Sequence, residues 1–145
     1  MKPQFHTYNP FITRVLPGVI LFLISFLWFY FPGEYVLIAN QDIALFHFSP
    51  EALASILDQP GGLLEYAGNF LNQFLRFRFA GALVLALVIT TGYFIMMGLA
   101  ALISHKKDVY IPGILTSVLL LGMHNYYPHQ IAHSLGFILA IALLI

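Results

Sequence analysis

Polar residues thin out in four stretches of the chain. Residues 15–31 carry no charge and end in the aromatic run Trp28-Phe29-Tyr30-Phe31, followed by Pro32-Gly33. Amphipathic rings favour the headgroup level of a bilayer and Pro-Gly stops a helix, so a first span is predicted there, with Pro17-Gly18 near its start. Residues 79–103 are 25 positions without a charge, enough to cross ~30 Å of hydrocarbon with some tilt. Arg78 precedes this second span and the loop 104–108 follows it. Two further apolar runs, 109–123 and 131–145, have 15 residues each, short against the ~20 of a usual span. The linker "HNYYPHQ", 124–130, joins them as a helical hairpin. The pattern predicts an all-α, multi-pass membrane protein with about four transmembrane helices.

Between the first two spans lie the 46 residues 33–78, too many for a connection without structure of its own. Residues 33–48 show no period that assigns them to an element. Ser49-Pro50-Glu51 then supplies a cap, a rigid first position and an acid for the helix dipole, opening a short helix. The run "DQPGG", 58–62, stops it. Over 63–77 the polar residues Glu65, Asn69, Asn72 and Arg76 recur at i, i+4, i+7 and i+11. Leu63, Ala67, Phe70, Phe74 and Phe77 recur on the opposite side. This spacing predicts an amphipathic helix about 22 Å long. It is expected to lie in the outer interface, its polar stripe wet and its aromatic stripe among acyl chains or against the spans. Arg78 falls on the apolar side of that wheel, so the helix must kink or end before the second span. The long outer loop thus holds one or two amphipathic interfacial helices.

Composition agrees with the pattern. Only 8% of the 145 residues are charged and 60% are hydrophobic, whereas soluble domains average about 25% charged; a soluble fold could not cover its surface. The absence of cysteine excludes disulfides and thiolate metal sites. The zero net charge hides an asymmetry. Lys2, Arg14, Lys106 and Lys107 oppose only Asp108 on one side, net +3. On the other side Glu34, Asp42, Glu51, Asp58 and Glu65 oppose Arg76 and Arg78, net −3. Basic residues favour the inside, so the N-terminus is placed inside and 33–78 and 124–130 outside. The expected partner is the lipid bilayer and no nucleic acid. The last apolar run has no polar or charged close, so the single membrane domain 1–145 is expected to continue into a further C-terminal part of the same protein.

The chain has no P-loop, HExxH or GxSxG. The candidate acids or bases are Asp42 and Glu34, early in the outer loop; Asp42 stands among apolar residues, where burial raises a carboxyl pKa. Arg76 and Arg78, at the mouth of the second span, suit either headgroup anchoring or a phosphate, which a guanidinium grips with two bonds. His124, His129 and His133 form H-x4-H-x3-H, and the last two share a helix face at a metal-binding spacing. No Cys or Glu completes such a site, so no metal and no cofactor is assigned. Ala82, Ala86 and Thr90, four residues apart, predict a close helix contact.

Ser49–Leu75 resembles the first outer loop of a family of uncharacterised polytopic inner-membrane proteins of Bacteroidetes, with its QPGGLLEY-G-FL-QF signature. Gln59 to Tyr66, Gly68, Phe70, Leu71, Gln73 and Phe74 carry the match, over about a fifth of the chain. The resemblance implies a bacterial inner-membrane protein with a cytoplasmic N-terminus and a periplasmic 33–78 loop, and supplies no activity. The layout of span, long acidic loop and span is also similar to the start of the GT-C membrane glycosyltransferases. That likeness implies sugar transfer from a polyprenyl-phosphate lipid, with Asp42 or Glu34 as base and Arg76 or Arg78 on phosphate. The Asp-x-Asp or Glu-x-Asp pair sometimes seen there is absent. Two functions are therefore expected to compete: a non-catalytic membrane component, and a GT-C-like enzyme. The spans hold no charge, which argues against ion coupling within them.

Overall fold

The computed structural model describes residues 10–41, 49–104, 109–126 and 129–144. All regular elements among them are helical: α1 (Pro10–Tyr30), α2 (Glu34–Gln41), α3 (Pro50–Leu57), α4 (Gly62–Asn72), a 3-10 turn (Gln73–Arg76), α5 (Arg78–Ser104), α6 (Ile111–Asn125) and α7 (Ile131–Ala142). The all-α expectation holds for these residues. α5 is the one helix among them long and apolar enough to cross a membrane; residues 14–30 of α1, and α6 and α7, are apolar but shorter.

α5 is the centre of an up-and-down arrangement, touched by α1, α6 and α7. α1 runs antiparallel to it, with Phe26 edge-on to Phe79 and Gly18 against Phe94. α6 runs antiparallel on another side, with Gly113 against Tyr93 and the Ser117 hydroxyl donating to the Ile89 carbonyl at 3.4 Å. The predicted small-residue stripe is part of this core: Ala82 and Ala86 are fully buried, and the Thr90 hydroxyl donates to the Ala86 carbonyl of its own helix. Small side chains let backbones approach, which is how apolar helices gain van der Waals contact without a difference in hydrophobicity.

α1 begins at Pro10, earlier than the 15–31 expectation, which leaves Pro17 inside the helix. Proline cannot donate to the carbonyl one turn before it. Beside this gap the Tyr93 hydroxyl donates to the Arg14 carbonyl at 3.1 Å. Gly18 admits the same aromatic pair: a Cβ there would lie 2.6 Å from Phe94. Pro17-Gly18 is thus a docking notch for α5 rather than a start signal.

The 33–78 segment is more structured than its pattern suggests. α2, in a stretch without legible period, turns off α1 through Gly33, whose N–H donates to the Trp28 carbonyl at 2.7 Å, and buries Val36 and Leu37. α3 forms where the cap signal placed it. Gly61 closes the turn after α3 with φ +82°, a left-handed conformation open to glycine without strain. α4 then packs back on α3. After the 3-10 turn, Phe77 is extended (φ −101°, ψ 116°), which is the predicted break before the second span.

α4 runs antiparallel alongside α7 rather than flat across the bundle. A Cβ on Gly68 would lie 2.7 Å from Ala132, and one on Gly136 would lie 2.8 Å from Leu64. Of the two settings expected for the aromatic face, packing against the spans is not the one observed. α4 turns its smallest residues inward, while Leu63 and Phe77 are 70% and 66% exposed and Phe70 and Phe74 are also on the surface. The polar stripe is divided too: Glu65 and Arg76 are exposed and Asn69 half-buried, but Asn72 is buried, with no partner for its Oδ1 among the described residues. A glycine–alanine seam brings two helices closer than phenylalanines allow, and that contact decides the rotation of α4.

Candidate functional site

The polar chemistry gathers at one end of the bundle, where α1 ends, α5 begins, α6 ends and α7 begins. At the α1–α2 corner Arg78 meets three groups at once. Its Nη2 lies 3.3 Å from Glu34 Oε2, both side chains being nearly half exposed. Its Nε–H donates to the Tyr30 carbonyl at 2.6 Å, one of the carbonyls a helix end leaves without an internal donor. Its guanidinium carbon stands 4.8 Å from the Tyr30 ring centre, within cation–π range. The sequence-predicted base and phosphate ligand are thus brought together, and they are spent on each other. Arg76, exposed at the end of the 3-10 turn, makes no ion pair among the described residues. Asp42 lies outside the described residues.

A second clamp sits nearby. Asn125, the last residue of α6, accepts from Trp28 Nε1–H at 2.8 Å and from the Tyr35 hydroxyl at 3.4 Å, while its own amide donates to the Leu121 carbonyl. One side chain thereby ties α6 to α1 and α2. Its only sequence signal was an amide beside an aromatic run, which names no partner.

The three histidines converge, but around a hydroxyl rather than a metal. His124 Nε2 lies 3.0 Å from Ser134 Oγ, and His129 Nε2 lies 2.9 Å from the same oxygen. His124 and Ser134 are each 1% exposed. The rings of His124 and His129 meet edge-on at 5.0 Å, and His133 is next at 5.6 Å. Among the described residues no group of three His, Cys, Asp or Glu is placed to hold a metal ion. In this arrangement Ser134 occupies the Nε2 atoms of His124 and His129.

Ser134 has one hydrogen and cannot donate to both rings. His124 Nδ1 is buried without a partner among the described residues, and a bare lone pair there costs less than a bare N–H. The network therefore assigns the His124 hydrogen to Nε2, donating to Ser134 Oγ, and the Ser134 hydrogen to His129 Nε2. Burial, and after it the neighbouring charge of His133, lowers the His129 pKa. Such a buried hydroxyl cannot meet a substrate, so the Ser–His contact is a brace between α6, the α6–α7 turn and α7. The i, i+4 spacing of His129 and His133 was legible; Ser134 was not, because no pattern marks a serine in an apolar run as a bridge.

No curated protein and no solved structure matches this chain. The model of a family of unknown function, DUF6057, matches residues 10–145, and the chain belongs to that family.

Proposed function

We propose that the chain is a non-catalytic, multi-pass component of a bacterial inner membrane, with its N-terminus in the cytoplasm and residues 33–78 in the periplasm. The observation that carries this is the outer surface of the helices. On α1 alone Ile12, Leu16, Val19, Ile20, Leu23, Ile24 and Leu27 are each 46–54% exposed, a continuous stripe along the helix. α6 adds Ile111, Leu115, Val118 and Leu119 at 52–69%. Water would penalise such a surface and lipid would not. Several of the described ionisable groups serve as braces: Arg78 with Glu34 at the α1–α2 corner, and His124 and His129 on Ser134. Impermeant thiol labelling of single cysteines at Arg76 and Lys106 tests the topology. Label on Arg76→Cys from the periplasm, with Lys106→Cys reached only after permeabilisation, is expected. Equal labelling of both overturns the arrangement.

The GT-C-like reading has one favourable observation, an acid and an arginine in contact after the first apolar helix. A lipid phosphate would have to displace Glu34 and compete with the Tyr30 carbonyl for the same guanidinium. Saturable binding of polyprenyl phosphate by the purified protein, lost in Arg78→Ala or Arg76→Ala, would establish the enzyme reading. Binding no stronger than that of phosphatidylglycerol is expected instead.

A further inference from the structure

Two concavities flank the seam between α4 and α7 and meet at Gly61 and Leu64. The first, of about 400 Å³, is lined by Pro60, Glu65, Gln130, Ala132, His133 and Gly136 besides the shared pair. The second, of about 590 Å³, is lined by Leu63, Ala67, Ile95, Leu135, Leu139 and Ala142. Both are in the size range of small-molecule sites, about 300–1,000 Å³. On α7 the polar hollow lies beside residues 130–136 and the apolar groove beside 135–142. On α4 both lie beside its first turns, from Gly61 on, so the two hollows overlap in depth on either side of the seam.

We infer that this pair of hollows is a binding site for one zwitterionic phospholipid with a primary-ammonium headgroup. The inference rests on the membrane reading above. An acyl chain fills the groove between α4, α5 and α7, and the headgroup occupies the polar hollow. Charge decides the headgroup. Among the described residues the hollow holds one carboxylate, Glu65, exposed at its wall. Its other polar side chains among them are Gln130 and His133, with no Lys or Arg. Glu65 suits an ammonium, and the Gln130 amide and the His133 ring suit phosphate oxygens. A headgroup of purely negative charge meets the carboxylate with nothing to offset it.

Native mass spectrometry of the purified full chain, titrated with phosphatidylethanolamine or phosphatidylglycerol of matched chains, tests this. One saturable phosphatidylethanolamine adduct is expected, held about tenfold more tightly than phosphatidylglycerol. Glu65→Gln should erase that preference without lowering the thermal midpoint, because the side chain is exposed. Leu139→Trp, filling the groove from an exposed position, should weaken both lipids alike. Equal retention of the two lipids, or an unaltered preference in Glu65→Gln, overturns the site while leaving the membrane reading standing. A chain that stays dispersed without detergent and retains neither lipid overturns the membrane reading itself.

Discussion

Ser134 is one buried hydroxyl serving two imidazoles, and its removal isolates both at once. Ser134→Ala keeps the size of the site nearly unchanged but leaves a buried His124 N–H without an acceptor, a loss of about 1–3 kcal/mol. A fall in the thermal midpoint in detergent, larger than that of His133→Ala at the exposed end of the cluster, is the expected outcome. The pH response has a definite sign. The folded pKa of His129 is depressed below an ordinary value near 6.5, so the unfolded chain takes up a proton first as the medium acidifies. The stability that neutral His129 contributes is complete above about pH 6.5 and is lost as the pH falls below it. Among the described residues His124, Ser134 and His133 face this ring, and none of them supplies an anion to reverse the sign. The thermal midpoint should decline on acidification, and His129→Gln should flatten the decline. Of this cluster the sequence disclosed the imidazoles and their spacing. Their chemistry depended on a serine ten residues from His124, which only the fold of α6 against α7 could bring into range.

Among the elements, α4 shows most clearly where periodicity succeeds and where it stops. Its existence, its start after Pro60-Gly61 and its break before Arg78 were all legible, because turn residues and the i, i+4 repeat are local properties. Its rotation was not. A hydrophobic wheel identifies the apolar side, but in an apolar setting both the buried and the exposed sides are apolar, and the tightest contact goes to the smallest residues. Gly68 therefore outweighs Phe70, Phe74 and Phe77. α2 was illegible for a different reason: eight residues with Val36 and Leu37 buried and Tyr35 and Ile38 exposed span too few turns to establish a period. The seam can be tested directly. Gly68→Leu places side-chain atoms where Ala132 backbone already lies within 2.9 Å of the would-be Cβ, and rigid backbone cannot give way as a flexible side-chain tip could. Overpacking of this kind costs about 1–3 kcal/mol. Faster hydrogen exchange over α3 and α4, with α5 and α6 unaltered, is the expected pattern; exchange that rises evenly through the bundle would show that α4 is not held by this seam.

In the molecule as a whole, Tyr93 is the point where three helices are fastened. It sits near the middle of α5 with no exposed surface, presses on Gly113 of α6 and lies 3.2 Å from the Cβ position of Gly18 on α1. Its hydroxyl reaches the Arg14 carbonyl beside the interior proline. Burial of the ring and the single hydrogen bond can be separated. Tyr93→Phe keeps the ring and removes only the bond, costing about 1 kcal/mol. Gly113→Val keeps the bond but inserts a branched side chain where even a Cβ would be 2.8 Å from the Tyr93 carbonyl oxygen, so α6 must move away. The clamp at Asn125 then becomes the second hold on α6, and Trp28, the only tryptophan in the chain, reports on it because its indole N–H donates to Asn125. Gly113→Val should change the Trp28 emission, whereas Tyr93→Phe should lower the thermal midpoint and leave the emission unchanged. Adding Asn125→Ala to Gly113→Val should destabilise the protein by more than the sum of the two single losses, because each hold limits the motion that the other's loss permits. Simple additivity would mean that α6 is positioned by the rest of its α5-facing surface alone, and that neither contact acts as a fastening.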